Sequence, residues 1–526
     1  MADSKGTSAG RGVLYIAFAK FYFMVAGLVV QFRLPAILNH VSWGRYSFVN
    51  SWVSPVNNVL NTGTIQTVSR FAAQEPDKVR AVQNAGLRMH LRLGLPLAVL
   101  YICAAPLIGM AYSDSSKVAP LALGGLILGG NAFYTVFVGT ANGMHQFHKQ
   151  AGFDITFATL RTLGLIGMAM MGLGVIGVMG GWVVAVGMIL VISVVGVGLP
   201  GRIEKADRMA LKPMIAFFLR VAVYLALFNL LMFVDTWLLA YQSTSYFDSH
   251  SADYAKALHD TIPWVQSHAK PSVLADVQVG YYAAVQNLAR LSYQAIIAAT
   301  FVVFPLVSRS TFTDDKDTTK RYVEVTVRYS LIFASAIAVA MAANPTSVLG
   351  IIYAPDYAQI GGPALTYLAL GNIAFSVFAI AGTILNGAGH TRPATITAGI
   401  TLAIAAIGNF VAIPMAIESG HSLEVAAAVT GGSMVIGAVL TGFVLYKRLG
   451  AFLPVASVVR ILIAIAVAFV VGRFLPHGGK LLSLVEAAIV AGVFLVVLVV
   501  TRELGKKDLE AIKAVRRKRA TGGDAV

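Results

Sequence analysis

The sequence predicts an all-α polytopic membrane protein of about 14 transmembrane helices, with two parallel six-helix repeats forming two lobes plus two extra C-terminal helices. Three observations carry this. Of 526 residues, 57% are hydrophobic and only 12% charged, whereas soluble chains carry about 25% charge. Apolar runs of the roughly 20 residues a bilayer requires recur from Val13 to near Arg502, with little room between them. The pattern of the first half also returns in the second. Barrel strands alternate apolar with polar residues; runs such as ILIAIAVAFVV (461–471) do not.

In chain order the spans fall near 13–32, 46–69, 91–112, 119–140, 155–178, 181–200, 213–241, 279–307, 324–343, 363–386, 394–416, 423–446, 455–474 and 481–501. Span 1 follows a polar stretch, MADSKGTSAGRG, without a small-residue cleavage site, so it is expected to be a retained helix. Span 2 holds Pro55 and span 8 holds Pro305, both expected kinks and hinges. Only Gly180-Gly181 divides span 5 from span 6. The domains predicted are an N-lobe (1–200), a cytoplasmic linker (201–212), a C-lobe (213–446) with an outer loop at 242–278, the added helices (455–501) and a basic tail (502–526).

Orientation follows from the positive charges. The net charge is +16, and in membrane proteins Lys and Arg collect on the cytoplasmic side. With the N-terminus inside, 29 Lys and Arg fall on inner segments, Lys149 and Arg161 among them, against 7 on outer ones: Arg33, Arg45, Lys117, Lys256, Lys270, Arg473 and Lys480. Both termini are therefore expected in the cytoplasm. The tail run VRRKRA has no interleaved aromatics, so it reads as solvated and nucleic acid is not an expected partner.

The halves match at a slowly drifting offset. Gly44 answers Gly280, Arg70 answers Arg309, Pro106 answers Pro345 and Tyr112 answers Tyr353. Asn142-Gly143 answers Asn386-Gly387, each closing the fourth span of its unit and read as a C-cap with glycine left-handed. Parallel repeats related by an axis along the membrane normal are a transporter architecture, with substrate bound between the halves.

The candidate site is a polar stripe with buried cations. Span 2 carries Asn50, Ser51, Ser54, Asn57, Asn58 and Asn61, spaced so that most share one face. Span 8 answers with Gln286, Asn287, Arg290 and Gln294. Uncharged members serve equally well as interhelical glue or as cavity lining. Lys20 and Arg220, in FAK and FLR, are candidate symmetry mates, explained by snorkelling or by a cavity. Arg290 is too deep for easy snorkelling and is the leading substrate-binding cation. The expected substrate contacts are Arg290, Lys20, Arg220, Asn50, Ser54, Asn58, Asn287 and Gln294, with an Arg33–Asp235 pair as outer gate. A cationic set suits an anionic substrate.

Other chemistry lacks support. No phosphate-binding P-loop occurs. GLGVIG (172–177) lies in an apolar span and reads as helix packing. Single Cys103 excludes an internal disulfide and an all-cysteine metal site. His145 and His148 lack a third ligand, and His250, His259 and His268 are out of phase. No catalytic residue, metal or cofactor is expected.

These residues resemble the multidrug/oligosaccharidyl-lipid/polysaccharide (MOP) superfamily. The likeness rests on G-R-Y-S-F opening span 2, S-R-F before a short charged loop, I-L-N-G-x-G-H-x-R-P after span 10, and the six-plus-six repeat. Fourteen helices look like its polysaccharide branch, the Wzx-type O-antigen and exopolysaccharide flippases and the related lipid II flippase. The resemblance implies a V-shaped transporter with a cationic cavity lined by spans 1, 2, 7 and 8. It implies movement of a polyprenyl-diphosphate-linked oligosaccharide across a bacterial inner membrane. It implies membrane lipids, a polysaccharide polymerase and chain-length proteins as partners. Lys20 and Arg290 match the family's basic residues on spans 1 and 8, while span 2 carries Asn and Ser where some members carry Arg. The alternatives are a cation-coupled multidrug exporter of the same superfamily and a membrane polysaccharide polymerase or ligase.

Overall fold

A computed structural model describes residues 3–204, 208–261, 270–294, 296, 316–476 and 478–505. Among them, 12 helices are long and apolar enough to cross a membrane. The chain forms two compact units, Arg11–Gly280, and Tyr281–Val526 with Met1–Gly10.

The Arg11–Gly280 unit takes in most of α1 (Asp3–Ile37), then α2 (His40–Gln74), α3 (Val79–Arg92), α4 (Gly94–Ala111), α5 (Val118–Gly143), α6 (Phe147–Met170), α7 (Gly174–Val197), α8 (Leu211–Leu231) and α9 (Val234–Thr261). It also takes in the start of α10 (Pro271–Ala289). Asn39 caps α2 by accepting the Ser42 backbone N–H at 2.8 Å, which satisfies one of the orphan donors of a helix start. At the centre lies α5, 67% of whose spanning window is buried, against 11% for α1. It packs on α2, α4 and α7.

The second unit contains α11 (Lys316–Ala343), α12 (Pro345–Ile352), α13 (Pro355–Gly387), α14 (Thr391–Ile417), α15 (Ser422–Leu449), α16 (Val455–Arg473) and α17 (Lys480–Val500). Its centre is α13, with 83% of its window buried. The two added helices, α16 and α17, pack on α11. Glu503, just past α17, is held there by Arg328 at 2.7 Å and Arg460 at 3.3 Å.

The repeated ending is written in the backbone of both units. After α5, the N–H groups of Met144, His145 and Gln146 donate to the carbonyls of Thr140, Asn142 and Ala141. After α13, Ala388, Gly389 and His390 donate to Ile384, Asn386 and Leu385 in the same order. The left-handed residue is not the glycine of Asn-Gly, however. It is His145 (φ 59) in one unit and Gly389 (φ 82) in the other. Gly143 stays in the last helical turn, where a β-carbon would meet Ala72 at 2.5 Å, so it serves the α2–α5 contact.

Other sequence expectations are corrected in the same way. Gly180-Gly181 does not separate two helices. It lies inside α7, where Gly181 packs directly on Gly164 of α6. The turn between these helices is made by Gly172 (φ 73) and Gly174 (φ 59), so GLGVIG is a turn that opens α7. In a membrane helix, small residues mark close packing as readily as a break. Arg161 is not in an inner segment; it lies in the second half of α6, its guanidinium 4.1 Å from the Trp182 ring. The supposed outer loop 242–278 is largely helical, as α9 runs to Thr261 and α10 starts at Pro271. Span 8 is not one uninterrupted helix: α10 ends at Ala289, and a one-residue turn at Arg290 precedes a helical stretch from Leu291. Pro263, His268, Pro305, Arg309 and the tail from 506 lie outside the described residues.

The crossing of α13 and α15 tests this packing. A β-carbon on Gly371 would collide with the Gly431 backbone, whereas one on Gly432 meets nothing within 4 Å. Gly371→Ala is expected to lower the thermal unfolding midpoint by ~2–6 °C, an overpacking of ~1–3 kcal/mol. Gly432→Ala is expected to leave it unchanged within about 1 °C.

Candidate functional site

The accessible face of α2 is polar along most of its length. Asn50 and Ser54 are half-buried, and Asn58, Thr62, Gln66 and Arg70 are exposed. Steps of four place them on one slowly winding strip. Ser54 Oγ donates to Asn50 Oδ1 at 2.9 Å, and Asn58 Nδ2 donates to Asn229 Oδ1 on α8 at 3.0 Å. The exposed faces of α1 and α4 differ. On α1 they present Tyr15, Phe18, Phe21, Val25 and Val29; on α4 they present Leu95, Val99, Leu100 and Leu107. Amides facing hydrocarbon would lack partners, so the α2 strip borders water or a polar ligand.

The opposite side of α2 holds polar residues of another kind. Asn57 is buried and accepts from Asn131 Nδ2 on α5 at 2.7 Å. Ser51 is buried, donates to Phe48 O and accepts from Trp237 Nε1 at 2.9 Å. The polar stripe of the sequence therefore divides into interhelical glue (Ser51, Asn57) and an accessible strip (Asn50, Ser54, Asn58).

The predicted cations are placed as follows. Lys20 on α1 is 35% exposed, and its Nζ lies 2.7 Å from Asp154 Oδ2 on α6. Arg220 is exposed on α8, its Nε donating to the Ala216 carbonyl of the turn before it. In the second unit Arg290 is half-buried at the turn after α10. Its carbonyl accepts from the Gln294 backbone N–H at 2.9 Å. Asn287 is buried, with its Nδ2 3.4 Å from the Tyr353 hydroxyl. No Arg33–Asp235 ion pair forms among the described residues. Arg33 is exposed, while Asp235 is buried and accepts the Thr236 backbone N–H at 2.7 Å.

One cluster escaped the sequence reading. Lys117 Nζ lies 2.9 Å from Asp276 and 3.1 Å from Asp114. Arg45 lies 3.2 Å from Asp276 and 3.6 Å from Asp114. Lys117 and Asp276 are each 1% exposed. Close backbone approach makes this possible: a β-carbon on Gly44 would overlap the Asp276 carbonyl, and Gly280 packs against Gly44. The four charges look like loop residues because their positions are far apart in sequence; the available signal was the matched pair Gly44 and Gly280. Burial raises the Asp114 pKa, but Lys117, Ser116 and Arg45 outweigh it and hold the carboxyl below its ordinary value. The second unit repeats the contact with other chemistry. Tyr281, the counterpart of Arg45, donates its hydroxyl to Asp356 at 3.0 Å in the turn equivalent to that of Asp114.

Two pairs of substitutions probe this geometry. Asn57→Leu strands the buried Asn131 amide and is expected to cost ~1–3 kcal/mol of stability, read as a lower midpoint in detergent; Asn58→Leu costs under about 1 kcal/mol. Lys117→Met leaves two carboxylates on Arg45 alone and is expected to destabilise by ~3 kcal/mol, with part recovered in the Lys117→Met/Asp276→Asn double variant. Because the folded pKa of Asp114 is depressed, its contribution is full above the ordinary carboxylate pKa and is lost as pH falls through the lowered value.

No family model and no curated protein matches the sequence. Solved structures do match. "Lipid II flippase MurJ, inward closed conformation" aligns with TM-score 0.69 at 11% identity, covering 94% of this chain and 99% of that one. A MOP-superfamily transporter from Pyrococcus furiosus, described as having a binding pocket of reverse polarity, aligns with TM-score 0.59 at 13% identity, over 84% of this chain and 95% of that one. A point mutant of the Vibrio cholerae MATE transporter VcmN aligns with TM-score 0.53 at 15% identity, over 85% and 97%. The fold on which these sites are built is the one seen in MurJ and the MATE transporters.

Proposed function

We propose that the chain is a flippase carrying a polyprenyl-diphosphate-linked oligosaccharide from the inner to the outer leaflet of a bacterial cytoplasmic membrane by alternating access, with both termini in the cytoplasm. The observation that supports it best is the polar strip of α2, accessible from Asn50 to Arg70, where the exposed faces of α1 and α4 are mostly apolar. Sugar hydroxyls and a diphosphate are too polar to cross hydrocarbon alone. Amides and hydroxyls spaced along a membrane helix replace their water contacts over the whole distance. The likeness to a lipid II flippase extends over 94% of the chain.

The cations take the headgroup. The proposed substrate contacts are Arg220 with Asn50, Ser54 and Asn58 in one unit, and Arg290 with Asn287 and Gln294 in the other. Lys20 begins paired to Asp154, so a diphosphate competes with that carboxylate for the ammonium. An inside-negative potential favours outward movement of two negative charges by ~4.6 kcal/mol per 100 mV. A cation-coupled multidrug exporter of this fold is the second reading, favoured by the Asp154 carboxylate on α6 and by the MATE neighbours.

Proteoliposomes separate the two. Flipping of a labelled polyprenyl-diphosphate oligosaccharide is expected to slow tenfold or more in Arg220→Glu and Arg290→Glu, and to slow when the potential is collapsed. Export of a cationic dye that survives both charge reversals, with no movement of the labelled lipid, would reject the flippase reading.

A further inference from the structure

Arginines gather on α3 at the end of the Arg11–Gly280 unit that the charge distribution predicts to be cytoplasmic. They lie where α3 meets the segment leading into α8. Gln83 Nε2 donates to the Gly198 carbonyl at 2.8 Å, and Arg88 Nη2 donates to the Met209 carbonyl at 3.0 Å. These two bonds hold both ends of the linker against one short helix and bring Arg208 beside Arg88. Arg92 is one turn further along α3, on the same face as Arg88.

Three arginines share this corner, Arg208 Nε donating to the Ile203 carbonyl at 3.4 Å, and among the described residues no carboxylate pairs with any of them. The Arg88 Nε–H is buried and has no acceptor. Like charges at this spacing repel, and a buried donor without a partner costs stability. An anion beside the guanidiniums would relieve the repulsion. The surface beside the cluster says where that anion comes from. Leu91, near the end of α3, and Leu95 and Val99, at the start of α4, are 55%, 43% and 51% exposed in steps of four, so an apolar strip begins beside Arg92 and runs into the membrane.

We propose that Arg88, Arg92 and Arg208 bind the phosphate of an anionic phospholipid whose acyl chains lie along Leu91, Leu95 and Val99. The bound phosphate stitches α3 to the linker and so sets the start of α8. Guanidinium suits phosphate because its N–H groups form a planar fork that binds two oxygens together. The exposed Leu91, Leu95 and Val99 beside the arginines favour a ligand with an apolar part over nucleic acid.

The test measures phosphatidylglycerol retention by the full chain, purified and returned to phosphatidylcholine nanodiscs doped with phosphatidylglycerol. The Arg92→Gln/Arg208→Gln double variant is the main probe, since neither side chain holds a carboxylate and the fold keeps the Arg88–Met209 bond. It is expected to bind phosphatidylglycerol roughly thirtyfold more weakly, about fivefold for each charge removed. Lys447→Gln/Arg448→Gln, on the exposed end of α15, is expected to change retention little. An equal loss in both double variants would mean general surface attraction and overturn the site, as would unchanged retention in the first. Displacement of the lipid by millimolar inorganic phosphate would show that the acyl strip contributes nothing and would overturn the lipid assignment.

Discussion

Hydrocarbon supplies no hydrogen bonds, so each polar group placed within it must find a partner on the protein or reach water. The architecture follows from that constraint. Backbone groups are satisfied within helices, and the most buried helices, α5 and α13, sit at the centre of their units. Polar side chains are sorted by the same rule. Asn57, Asn131, Asn409 and Thr430 pair across helix contacts, and many buried serines and threonines bond the carbonyl of the preceding turn. The most exposed residues of α2 between Asn50 and Arg70 are Asn58, Thr62, Gln66 and Arg70, all polar, which sets that surface apart.

Charges obey a stricter version of the rule. Lys20 pairs with Asp154, Glu503 takes two arginines, and Lys117 sits between two aspartates that also face Arg45. A buried ion pair adds little net stability over apolar packing, but breaking one strands a charge at high cost. Such pairs therefore fix geometry. The four-charge cluster ties the start of α2, the α4–α5 turn and the first half of α10 into one arrangement, and the glycine contact at Gly44 lets the backbones come close enough to form it.

The internal repeat shows which features the architecture requires and which are free to diverge. The helix ending after α5 and α13 is kept in both units down to its hydrogen bonds, although its left-handed residue is histidine in one and glycine in the other. The contact from α2 to the α4–α5 turn also has a counterpart at the start of α13, as Arg45 with Asp114 in one unit and Tyr281 with Asp356 in the other. Position is retained while chemistry changes.

Composition, apolar run length and the recurring motifs were enough to read the helical class and the duplication, because a bilayer imposes length and hydropathy directly on sequence; helix starts were read less well, α6 and α7 beginning at Phe147 and Gly174 where 155 and 181 were expected. The likeness of GRYSF and ILNGAGHTRP to the MOP superfamily agreed with the fold. Glycine was where sequence misled: Gly180-Gly181 looked like a break and is a helix contact, because the residue that frees a backbone to turn also lets two helices touch. The site was legible as a set of polar residues on span 2 but not as a surface, since Asn57 and Asn58 are neighbours in sequence and face opposite environments. Only tertiary packing decides which amide meets a partner helix and which meets water, and only it could bring Asp154 to Lys20 or Asp276 to Lys117, because a side chain's electrostatic partner is fixed by distance in space and not by position along the chain.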